Sequence, residues 1–148
     1  MKNVKFKTEL LLALILVASA FLRFYKLDQL LGFYYDQGRD ALVVWRLLHE
    51  GKLFLVGPVT GIEGIFLGPF YYYLITPFYF LGRGSPVFVA AVLNLISVFG
   101  IYLLFLVTKE FFDRKVALLA SFFMAFSYSL VTFSRWLSHP PLLPTFSL

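Results

Sequence analysis

The residues of this chain best suited to chemistry stand together: Tyr34-Tyr35-Asp36-Gln37-Gly38-Arg39-Asp40 brings two carboxylates, a guanidinium and an amide into one short stretch. A carboxylate in such a place takes a proton from an acceptor hydroxyl or amine as a general base, or it holds a metal. Partial burial makes such a group a stronger base, whereas a guanidinium one helical turn away keeps it ionised. A plainer alternative is equally open. Asp36 caps a helix, and Arg39 pairs with Asp40 or with a lipid phosphate.

What must position these groups is a membrane-embedded chain. Of the 148 residues, 60% are hydrophobic and 20% aromatic, only 14% are charged, and the mean hydropathy is +0.83. Composition of this kind leaves no room for a soluble core and predicts an all-α integral membrane protein. The net charge of +5 reads as a topology signal, not as a nucleic-acid footprint, because no basic run forms a patch. With no cysteine, disulfides, cysteine metal sites and thiol catalysis are excluded.

Three apolar runs predict spans at about 10–25, 87–107 and 116–133. Lys2, Lys5 and Lys7 before the first run, with Ala18-Ser19-Ala20 inside it, could also make a signal peptide. The run continues through Phe21, Leu22, Phe24 and Tyr25, which favours an uncleaved anchor with its N-terminus in the cytoplasm. Residues 27–86 form an outer loop carrying two interfacial helices, at about 37–50 and 66–81. The first starts with Asp36 as its cap and stops at Gly51, with Arg39, Arg46 and Glu50 opposite Ala41, Val44, Trp45 and Leu48. Gly68, Pro69 and Pro77 interrupt the second, so it lies at the membrane surface and does not cross. That choice puts Lys109, Arg114 and Lys115 inside with the N-terminal lysines, as the positive-inside tendency prefers. Asp36 and Arg135 then share the outer surface of the plasma membrane.

"RFYKLDQL…GFYYDQGRDALVVWRLLHEGKLFLVGPVTGIEGIFLGPFYYYL" resembles the first outer loop of the polytopic glycosyltransferases that use a lipid-phosphate sugar, the family 39 protein-mannosyltransferase and aminoarabinose-transferase superfamily. "FFDRKVALLASFFMAFSYSLVTFSRW" resembles that family's third span. The resemblance implies the N-terminal part of a longer polytopic helical bundle, inactive as a fragment. It implies inverting transfer of a sugar from a polyprenyl-phosphate donor to an acceptor protein or glycolipid at the outer face. Asp36 falls on the family's motif aspartate and would be the base; Pro69 and Tyr71 to Tyr73 fall on its juxtamembrane helix. The motif's usual glutamate is Gln37 here, which removes a charge but keeps a hydrogen-bonding amide. A lysine that some relatives carry before the Pro-Leu-Tyr motif is replaced by Leu67 and Gly68. The positive partner for the lipid phosphate would then be Arg39, Arg135 or a residue beyond Leu148. No nucleic acid is implied, and no cofactor beyond a divalent cation that the acidic loop would admit.

Other residues carry two readings each. Tyr71, Tyr72 and Tyr73 line a lipid or sugar groove, or form an interfacial aromatic belt. His139 and Glu63 are weak substrate contacts or solvated loop residues. Two histidines far apart make no metal site. Asn94 and Ser97, within the second span, serve helix packing. A non-catalytic small multispanning protein, flippase-like or an accessory subunit, is the alternative to the enzyme.

Overall fold

A computed structural model of the chain describes residues 2–58, 60, 62, 64–138 and 142–147, with residues 2–5 as backbone only. Glu63 and His139 lie outside the described residues. The described chain is helical: α1 Lys2–Phe24, α2 Leu27–Leu30, α3 Tyr35–Glu50, α4 Phe70–Leu81, α5 Pro86–Phe111, α6 Arg114–Phe126, α7 Tyr128–Ser134 and α8 Leu143–Phe146.

Three long helical stretches, α1, α5 and α6 continued by α7, pack against one another. The ends follow local chemistry. Ser85 accepts the Phe88 N–H and Pro86 opens α5, where a missing N–H costs nothing. Asp113 accepts the N–H groups of Lys115 at 2.7 Å and Val116 at 2.8 Å, starting α6 as a carboxylate cap does. Among the described residues α5 is the one helix long and apolar enough to cross a membrane, and the bent pair α6–α7 makes a second if it is taken as one span. In α1 the apolar run is bounded by Glu9 and Arg23, which shortens it below the usual span.

Two expected elements differ in shape. The straight span expected at 116–133 is bent by 54° between α6 and α7. Ser127 adopts an extended ψ of 119° there, and a residue out of helical conformation interrupts the hydrogen-bond ladder. The helix expected at 66–81 begins only at Phe70, because Leu67 is engaged elsewhere. Its N–H donates to Pro58 and its carbonyl accepts from Gly57, both at 2.9 Å. With 12 residues α4 is about 18 Å long, well short of a bilayer core.

Apolar side chains lie on the outside of the three helical stretches as well as between them, where Leu12, Phe105 and Ala117 pack together. Phe6, Leu14, Val17, Phe21, Phe99 and Phe123 are exposed, while Ser19, Arg23, Asn94 and Ser121 are fully buried. Arg23 on α1 donates to Ser19 Oγ, to the Ala125 carbonyl of α6 at 3.1 Å and to Ser97 Oγ of α5 at 3.4 Å. Asn94 donates to the Arg23 carbonyl at 3.4 Å. The packing role expected of Asn94 and Ser97 is therefore a set of interhelical hydrogen bonds centred on Arg23.

The main apolar core lies at the other level, where the loop meets the upper part of α5. Val44 of α3, Tyr71, Tyr72, Ile75 and Tyr79 of α4, and Val89, Ala90 and Leu93 of α5 fill it, joined by Leu27, Leu137 and Leu142. A clasp ties this layer to the bundle. Gly32 N–H donates to the Arg135 carbonyl at 3.0 Å, and Arg135 Nη2 donates to the Leu22 carbonyl at 2.7 Å. A Cβ on Gly32 would stand 2.6 Å from Trp136 Cδ1, so only glycine permits this approach.

Candidate functional site

The site is built on the first turns of α3. Expected to begin after an Asp36 cap, the helix instead starts at Tyr35, following Tyr34 in extended conformation. The side chain that closes its end is Gln37, whose Oε1 accepts the Tyr34 N–H at 2.8 Å, the reach-back half of a capping box. Asp36 thus sits inside the first turn, where a negative charge is favoured by the free N–H groups. At the far end Gly51 closes the helix with φ of 65°, as a left-handed C-terminal glycine does.

Gln37, Asp40 and Val44 form the buried face of α3. Asp36, in contrast, has 67% of its side chain exposed. Arg39 stands between the two carboxylates. Its Nη1 donates to Asp36 Oδ1 at 2.9 Å, and its Nη2 and Nε donate to Asp40 Oδ1 at 2.9 and 3.1 Å. The same Asp40 oxygen accepts the Tyr72 hydroxyl of α4 at 2.9 Å. Burial disfavours the Arg39 charge, but the hydrogen bond and charge of Asp40, with help from Asp36, outweigh it and raise its pKa. A shallow cleft of about 400 Å³ opens beside Arg39, lined by Tyr35, Gly38, Arg39 and Leu42.

The tyrosines of α4 are placed as core residues. Tyr71 and Tyr72 are 4% and 3% exposed; Tyr73 is half-exposed and donates to the Phe54 carbonyl at 2.9 Å. Burial pushes the Tyr72 phenol up to about 12, reinforced by the Asp40 charge. Tyr79 is raised to about 12 and Tyr71 is raised as well, first by burial and then by Asp40.

Arg135 is brought close to the loop by the Gly32 clasp, yet its guanidinium turns to the end of α1, and its Nε is buried without a partner among the described residues. Trp45 and Leu48, expected on the apolar side of α3 with Ala41 and Val44, are exposed. They border a groove of about 450 Å³ with Val44, His49, Tyr79 and Arg83. Trp45 stacks on His49 at 4.5 Å.

The Asp40–Tyr72 bond and the buried Arg23 were not foreseen from the sequence. An arginine inside an apolar run, with a serine four residues before it, was the available sign of the second. The first joins residues 32 positions apart and left no local sign. No protein-family model, curated protein or solved structure matches this chain. Among the described residues no group of three or more His, Cys, Asp or Glu side chains could hold a metal ion.

Proposed function

We propose that the chain is the N-terminal part of an integral-membrane glycosyltransferase that moves a sugar from a polyprenyl-phosphate donor to an acceptor at the outer face. The observation that carries this reading is the contrast within α3. Asp36 is exposed and held by Arg39 at 2.9 Å, whereas Asp40 is buried and committed to Arg39 and Tyr72. A general base must reach the proton it removes, and Asp36 is the carboxylate that can.

In the reaction the acceptor oxygen attacks the anomeric carbon, Asp36 takes the acceptor proton, and the lipid phosphate departs with the bonding electrons, inverting the configuration. Because the donor's phosphate lies at the membrane surface, the base has to sit at that depth. Three passes support this placement. The apolar outer surface of α1, α5 and α6, with Arg23 buried between them, suits a lipid surrounding. The clasp between Leu22, Gly32 and Arg135 brings the end of α1 and the end of α7 to one level, as an odd number of passes requires. The shortness of α4 favours the interfacial role over a fourth pass.

The test is transfer of radiolabelled sugar from polyprenyl-phosphate donors, in membranes containing the full gene product. Asp36→Asn should reduce the rate by about 100-fold or more, the usual contribution of a general base, with insertion unchanged. Gln37→Glu should be tolerated. Transfer retained in Asp36→Asn removes Asp36 from the mechanism. No transfer from any donor, with the protein correctly inserted, favours a non-catalytic flippase-like or accessory protein.

A further inference from the structure

We infer that Asp40 and Tyr72 form a positioning clamp that fixes the Arg39 guanidinium and, through it, the carboxylate of Asp36; this rests on the reading of Asp36 as the base. Asp40 is a carboxylate only 5% exposed, and one of its oxygens collects three donors: Arg39 Nη2, Arg39 Nε and the Tyr72 hydroxyl. A buried carboxylate holding a two-pronged arginine edge and a phenol sets direction as well as charge, because the guanidinium is planar and its N–H fork is rigid. With Nε and Nη2 fixed on Asp40, Nη1 is aimed outward, and it meets Asp36 at 2.9 Å.

The clamp joins two helices. Arg39 and Asp40 belong to α3 and Tyr72 to α4, so the orientation of an exposed carboxylate on one interfacial helix depends on the seating of the other. Phe54 packs edge-on against Tyr72 at 5.2 Å and holds that phenol from the loop side. Asp40 is thereby unavailable as a second base, despite standing four residues from Asp36. Its Oδ1 already accepts three donors and its side chain is only 7% exposed.

The clamp also settles what Arg39 does not do. One guanidinium faces two carboxylates, and its Nε, Nη1 and Nη2 are all engaged with them. Arg39 serves the base, and the counter-charge for the leaving phosphate belongs to another residue.

Chemical rescue in the full gene product tests the clamp. Arg39→Ala and Asp40→Asn should each lower kcat by about 100-fold, the scale set by misplacing a reacting group by about 1 Å. KM for the lipid donor should stay within about twofold, since none of these groups binds phosphate. Tyr72→Phe, which keeps the ring, should lower kcat by about tenfold through the same channel. Added guanidine hydrochloride at millimolar levels should restore transfer in Arg39→Ala by filling the slot between the two carboxylates. It should fail to restore Arg39→Ala/Asp40→Asn. Equal rescue in both, or normal kcat in Asp40→Asn, overturns the clamp, as does a donor KM that rises with kcat unchanged. Asp36→Asn run alongside separates the two claims. Transfer retained there defeats the base itself, while transfer lost there with normal Asp40→Asn defeats only the clamp. If Asp40→Asn does not accumulate in membranes, Tyr72→Phe decides by the same split in kcat and KM.

Discussion

Raising the pH should loosen the loop layer before it harms the three passes. Tyr72 and Tyr79 are held at about 12 against an ordinary 10, and Tyr71 is raised too, each chiefly by burial. The folded protein therefore holds these phenol protons more tightly than the unfolded chain. The stability they contribute is complete below about pH 10 and is lost as the pH climbs towards about 12. One pKa unit corresponds to about 1.4 kcal/mol, so two units make roughly 2.7 kcal/mol per tyrosine; solvent screening reduces this to about 1–2 kcal/mol each. Tyr72 and Tyr79 together supply roughly 3 kcal/mol, a sizeable part of a typical total of about 5–15 kcal/mol. Near-UV absorbance of tyrosinate, followed in nanodiscs beside thermal melting, measures both sides of the linkage. Three of the nine tyrosines should ionise late and together with a fall in melting temperature, and Tyr79→Phe should shrink that late step by one phenol. Ionisation of all nine in a single step near pH 10 with the fold intact, or a melting temperature level to about pH 12, refutes the reasoning.

Further outcomes follow from individual contacts. Gly32→Ala should cost about 1–3 kcal/mol by overpacking against Trp136, and in a Trp45→Phe background the emission of Trp136 should shift as the indole swings away. Asp113→Asn should weaken the start of α6, seen as faster amide exchange over the first turn. Because backbone hydrogen bonds from Val116 and Lys115 hold the Asp113 carboxyl below its ordinary value, its support in the wild type should fade as pH falls through that depressed value. For the topology, a cysteine at Ser138 should react with a membrane-impermeant reagent in intact cells and one at Asp113 should not; the opposite pattern would remove the three-pass arrangement.

Much of the architecture was legible because it rests on local signals. Apolar length announced α5, Gly51 announced the end of α3, and Pro69 with Pro77 announced that α4 is no ordinary span. The detail of the site was less accessible. Asp36 looks like a cap by residue type, but Gln37 takes over the end of the helix by reaching back to Tyr34, shifting Asp36 into the first turn. Periodicity put Trp45 and Leu48 on one apolar side of α3 with Ala41 and Val44, of which only Val44 turns fully inward, and it did not show that Gln37 and Asp40 share the inward face with it. A buried aspartate is affordable there only because Tyr72 and Arg39 supply donors, and Tyr72 is remote in sequence. The three tyrosines gave no hint of their division into two core residues and one loop anchor. Packing of α4 on α3 and α5, which no local pattern records, makes that division.

The Leu22–Gly32–Arg135 clasp has a consequence for biogenesis. Arg135 follows Leu22 by 113 positions, which at cellular synthesis rates of about 5–20 residues per second is a delay on the order of ten seconds. Throughout that interval the nascent loop bearing Asp36 lacks the contacts that fasten it to α1. Its tyrosines and its charged helix stay unfastened until α7 and Arg135 emerge. The order of emergence thus makes the end of α7 the latch for the loop that carries α3, and a chain arrested before Arg135 would leave that loop unfastened.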